Sequence, residues 1–139
     1  MPAAFPRGAT TALHPIHSIL IAFPVALFPG ALAADVTYLN SSEIQWSNFA
    51  AWLIAGALVF TGLSLAWTLV RIAMRRAGGR WLAAMLAALF VIGLVNAFQH
   101  SHDGWSSVGT TGLALSLIST VLALAAGWIA YTMPGKVRP

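Results

Sequence analysis

FAAWLIAGALVFTGLSLAWTLVRIAMRRAGGRWLAAMLAALFVIGLVNAFQ, residues 49–99, contains two apolar runs separated by Arg71, Arg75, Arg76 and Arg80. Each run is about twenty residues long, enough at 1.5 Å per residue to cross a hydrocarbon core of roughly 30 Å. Four arginines in a short gap demand water. The stretch therefore reads as a membrane hairpin with its turn outside the hydrocarbon.

Working outward, a third apolar run lies before this hairpin and a fourth after it. Arg7 precedes the first run, Lys136 and Arg138 follow the last, and the three acidic residues Asp35, Glu43 and Asp103 occupy the two remaining gaps. Four crossings put every basic residue on one face, and the positive-inside rule makes that face the cytoplasm. The chain is expected to be an all-α integral membrane protein. It forms a single four-transmembrane-helix bundle over residues 1–139, with spans at 14–34, 49–70, 81–99 and 107–131 and both termini cytoplasmic. An open sheet edge is not viable in lipid, so each span is a helix.

The composition agrees with this. Of 139 residues, 59% are hydrophobic and only 7% charged, whereas an ordinary soluble domain carries about 25% charged residues. The net charge of +4 belongs to the flanks of the spans and does not point to nucleic acid. With no cysteine, disulfides, thiolate metal sites and covalent c-type haem attachment are excluded, and histidine is the strong nitrogen ligand that remains.

Arg7 and the run ending Ala31-Leu32-Ala33 also resemble a cleavable signal peptide. Pro24 and Pro29 instead fit a bent membrane helix that stays in the mature chain, kinked near mid-membrane. In the following loop, residues 35–48, Ser42 and Gln45 have capping-box spacing and predict a short interfacial helical turn. The tryptophans fall in two belts, with Trp46, Trp52 and Trp105 at outer ends and Trp67, Trp81 and Trp128 at inner ends. Gly109, Gly112, Ser116, Ser119, Thr120, Ala123 and Gly127 form a small-residue stripe along the fourth span. Such a stripe is ordinarily a helix-packing face, and it would also admit a flat cofactor.

Candidate chemistry rests on two histidine pairs. His14 and His17, three residues apart, share a helix face and could hold one small ion, though not sandwich a haem by themselves. They are the candidate cofactor-binding residues, for haem b or a transition metal. His100, His102 and Asp103 are candidate metal ligands at the opposite end, with His100 continuing a polar face of Gly93 and Asn96. Depth separates the pairs by about a membrane thickness, so one chain does not place a haem between His17 and His100; bis-histidine ligation requires a second subunit. Asp35 reads as an interfacial carboxylate closing the first span, or as a proton or cation relay about 27 Å from His17. No nucleophile elbow, phosphate-binding glycine loop or HExxH is present, and no enzymatic activity of the chain on its own is expected.

His14-Pro15-Ile16-His17, then Phe23-Pro24-Val25-Ala26-Leu27, then Asp35, resembles the opening signature of a bacterial family, domain of unknown function 2231. Trp52-Leu53-Ile54-Ala55-Gly56-Ala57-Leu58 is similar to its next segment. The resemblance covers roughly the first half of the chain and does not reach His100 or His102. It implies a small four-helix bacterial membrane protein of unassigned activity, with some relatives joined to or neighbouring redox proteins, which tilts His14 and His17 toward electron-transfer chemistry.

The leading expectation is an oligomeric electron-transfer component holding haem b or a metal and working with quinone or a partner oxidoreductase. The alternatives are a non-catalytic accessory subunit docked on a larger membrane complex through its small-residue stripe, and a proton or metal transport element built on His17 and Asp35.

Overall fold

The computed structural model describes residues 13–74, 79–101 and 109–132. They form four helices, α1 (Pro15–Ser41), α2 (Ile44–Ala73), α3 (Arg80–Ser101) and α4 (Thr110–Thr132), each long and apolar enough to cross a membrane. Each helix packs on its two sequence neighbours in an up-and-down ring that α4 closes against α1, leaving α1 and α3, and α2 and α4, diagonally opposed. At one end His17 meets Thr68 and Tyr131 donates to the Ser18 carbonyl; at the other Asp35 meets His100 and Ser116.

Two helices overrun their apolar runs. α1 continues through Pro24 and Pro29 and past Asp35 to Ser41, where Ser42, with φ 58°, turns the chain and donates its backbone N–H to Tyr38. Glu43 then caps α2. Ser42 thus ends α1 rather than starting a capping box, and the expected interfacial turn is the first turn of α2. The extension also corrects the position of Asp35, which lies inside α1 and not in a gap between spans.

The small-residue stripe of α4 is used inside the chain. Gly112, Ser116, Ser119, Thr120, Ala123 and Gly127 are buried, and a Cβ on Gly127 would lie 2.6 Å from Val25 on α1. These six face the other helices of the same chain, whereas Gly109 at the start of the stripe is exposed. At mid-bundle, Phe28 of α1 reaches across the diagonal to Gly93 of α3, where a Cβ would meet the Phe28 ring at 2.9 Å and Leu58 at 3.0 Å. Phe28, Ile54, Leu58, Leu89 and Ala123 form this apolar centre. Most of the outer surface is large and apolar, with Trp52, Trp81 and Trp128 more than 70% exposed, as lipid contact requires. Trp67 departs from the belt, turning its ring against His14 and His17. Trp105 lies outside the described residues.

Candidate functional site

Four polar side chains close a ring at the Asp35 end, drawn from α1, α3 and α4. The Asn96 amide donates to Ser116 Oγ at 3.0 Å. Ser116 Oγ donates to Asp35 Oδ2 in a short hydrogen bond. Asp35 Oδ1 faces His100 Nε2 at 2.9 Å, and His100 Nδ1 donates to the backbone carbonyl of Asn96 at 2.9 Å, returning to the residue where the ring began. Asp35 and Asn96 are fully buried, Ser116 and His100 nearly so. Their helices supply the spacing: Asn96 and His100 are one turn apart on the inner face of α3, and Ser116 is on the small-residue face of α4.

The hydrogen bonds constrain the protons. A carbonyl only accepts, so His100 Nδ1 carries a proton. If the imidazole were neutral and Asp35 ionised, the Nε2 lone pair would face a carboxylate at hydrogen-bond distance. The contact therefore contains one further proton, on His100 as an ion pair or on Asp35 as a neutral pair. In either state the pair is neutral overall, which is how a carboxylate and an imidazole can share an apolar interior.

At the opposite end, His17 is 2% exposed and its Nε2 lies 3.2 Å from Thr68 Oγ1. Thr68 donates its single hydroxyl proton to the Ser64 carbonyl at 2.8 Å, so toward His17 it accepts and Nε2 is the protonated nitrogen. In the neutral ring, Nδ1 then carries a lone pair. It is buried without a hydrogen-bond partner among the described residues, as are Trp67 Nε1 and Ser64 Oγ. His14 is exposed at the helix start, its ring 5.3 Å from Trp67.

His14 and His17 are thus brought together against Trp67, while His100 stands at the far end with both ring nitrogens engaged. His102 and Asp103 lie outside the described residues. Among the described residues no group of three or more His, Cys, Asp or Glu side chains is arranged to hold a metal ion. Sequence reasoning missed the Asp35–His100 contact and the parts played by Asn96 and Ser116. A usable signal was present: the charge pattern put Asp35, His100 and the start of the fourth span at one depth.

The architecture is that of a small four-helix membrane protein with a polar ring closed inside it. A family model described as predicted membrane protein (DUF2231) matches residues 13–134, and the chain belongs to that family. The match extends the sequence resemblance from the first half of the chain to all four helices. No curated protein and no solved structure matches the chain.

Proposed function

We propose that this chain is a proton-handling element of the bacterial inner membrane, with the Asp35–His100 pair as its titrating centre. The observation that carries this reading is the closed ring at Asp35. Ionisable residues inside membrane bundles mark proton and ion pathways more often than they serve packing. Here the carboxylate and imidazole hold one mobile proton, and the remaining hydrogen bonds fix both in orientation. Ser116 supports the carboxylate and the Asn96 carbonyl supports the imidazole, so a proton moves between Oδ1 and Nε2 without rearranging either. The test is infrared titration of the purified protein in lipid. The expected result is a pH-dependent carboxyl band that disappears in Asp35→Asn and moves in Ser116→Ala. Absence of any Asp35 band change across the titration would make the pair a structural clasp.

A second reading follows from the open His17 Nδ1. A bare, buried imidazole nitrogen is a suitable axial ligand for a b-type haem or a transition metal in electron transfer with quinone or a partner oxidoreductase. The second ligand then comes from another copy of the chain or another subunit. Visible absorption of protein purified in mild detergent tests this: a Soret band that shifts on reduction and is lost in His17→Ala supports it, and a colourless, metal-free protein removes it.

A further inference from the structure

Buried hydroxyls line both halves of the bundle interior and stop short of each other. From Asp35 the polar file descends through Ser116, Ser119 and Thr120 on α4; Ser119 Oγ, Thr120 Oγ1 and Asn96 Oδ1 have no hydrogen-bond partner among the described residues. From His17 a second set of hydroxyls rises through Thr68, Ser64 and Thr61 on α2, all buried; Thr68 and Thr61 donate to the Ser64 and Ala57 carbonyls, and Ser64 Oγ and His17 Nδ1 are unpartnered among the described residues. Contacts between helices set the levels: Ser116 beside Asp35, Thr68 beside His17, Phe60 stacked on Phe23 at 3.8 Å. At 1.5 Å per residue, Asp35 lies about 27 Å from His17, and the two files leave a gap of about 10 Å. Phe28, Leu58, Leu89 and Ala123 fill that gap, and Phe28 reaches Gly93 across the diagonal.

Resting on the proton-handling reading, we infer that His17 is a second proton station and that the two hydroxyl files are half-paths meeting at a Phe28 plug. A serine or threonine hydroxyl accepts on a lone pair while donating its own hydrogen. Among the described residues no hydrogen bond joins successive hydroxyls of a file, and Thr68 and Thr61 donate to the Ser64 and Ala57 carbonyls, so a hop requires the hydroxyl to turn from its carbonyl or a water to bridge the step. Each hop then makes one O–H or N–H bond and breaks one, and the net change is one proton taken at one end and one released at the other. Phe28 offers neither lone pair nor donor and interrupts the relay. Among the described residues, the titratable and charged groups that face the stations are His14 on α1 and Arg71 on α2 at His17, and Asp35 on α1 at His100.

The experiment uses the full chain in liposomes containing a pH-sensitive dye, with a potassium diffusion potential as driving force. Phe28→Ala should raise proton flux over wild type by about tenfold or more, a barrier lowered by at least one decade. The increase should vanish in Phe28→Ala/His17→Phe and in Phe28→Ala/Asp35→Asn, with no accompanying potassium leak. Folding of each variant is checked by thermal melting and by the imidazole nitrogen spectrum of His100 or, where His17 remains, of both histidines. A folded Phe28→Ala protein no leakier than wild type overturns the inference, as does flux that survives loss of either station. Should the infrared band of Asp35 respond to pH while Phe28→Ala stays tight, the two-file path fails and the proton-handling reading stands. If the band does not respond, that reading itself fails.

Discussion

Asp35 and His100 stand 65 residues apart in the chain and meet at 2.9 Å across the diagonal of the bundle, although α1 and α3 have no close backbone contact among the described residues. The pair joins two helices that otherwise communicate only through side chains such as Phe28. Its energetic signature is therefore non-additive.

Removing one member leaves the other buried without its partner, which costs about 3–5 kcal/mol. Asp35→Leu and His100→Leu should each lower stability by that order in detergent or bicelle unfolding. The double variant, which removes both polar groups together, should recover most of the loss. Strict additivity of the two single changes would show that the residues are not coupled.

Gly93 tests the diagonal packing at mid-bundle. A Cβ there meets Phe28 and Leu58 at 2.9 and 3.0 Å, so Gly93→Ala overpacks the centre and should cost about 1–3 kcal/mol. Gly109, where a Cβ meets nothing within 4 Å, is the control. Gly109→Ala should change the melting temperature little.

Thr68 fixes the tautomer of His17 through its acceptor oxygen. Thr68→Val removes the hydroxyl that accepts from Nε2 and should destabilise the protein by about 1–3 kcal/mol. In nitrogen NMR, wild type and Thr68→Ser should show the Nε2-protonated ring, and Thr68→Val should lose that preference. An unchanged His17 spectrum in Thr68→Val would contradict the assignment.

Ser42 holds a left-handed conformation that costs a non-glycine residue about 1–2 kcal/mol, and its backbone N–H closes the α1 terminus. Ser42→Gly relieves the steric cost and should raise the melting temperature. Ser42→Val, with a branched side chain at the same φ, should lower it.

Arg71 and Arg80 lie at the His17 end of the bundle and Glu43 at the other, and the positive-inside rule predicts from this that the His17 end faces the cytoplasm. A fluorescent reporter fused after Pro139 should mature in the cytoplasm, and an alkaline phosphatase fusion at the same point should be inactive. The opposite pair of results reverses the orientation of both proton files.

The four spans were legible because hydropathy and charge report burial in lipid directly, and each apolar run became a helix. The inward face of α4 was legible too, as small residues at three- and four-residue spacing. The Asp35–His100 contact was not, for two physical reasons. The apolar run ends near Asp35 while α1 continues through polar sequence to Ser41, with Thr37, Asn40 and Ser41 donating their side chains to carbonyls one turn back. A carboxylate that looked terminal is thus held within the bundle. Pairing across a diagonal also depends on the rotation of α1 and α3 about their own axes, which no single helix encodes. Trp67 shows the same limit: its depth followed from the sequence, but its turn toward His14 and His17 required the neighbouring helix.

Only Ser42 and Glu43 separate α1 from α2, so these two helices are tied at that end as a single paddle. His17 and Thr68 both belong to the paddle, whereas Asp35 faces Asn96, His100 and Ser116, which all belong to the other half of the molecule. A hinge between the halves would pull the polar ring apart like a clasp and leave the His17 contact to Thr68 intact. The two ends of the protein would then respond differently to the same movement.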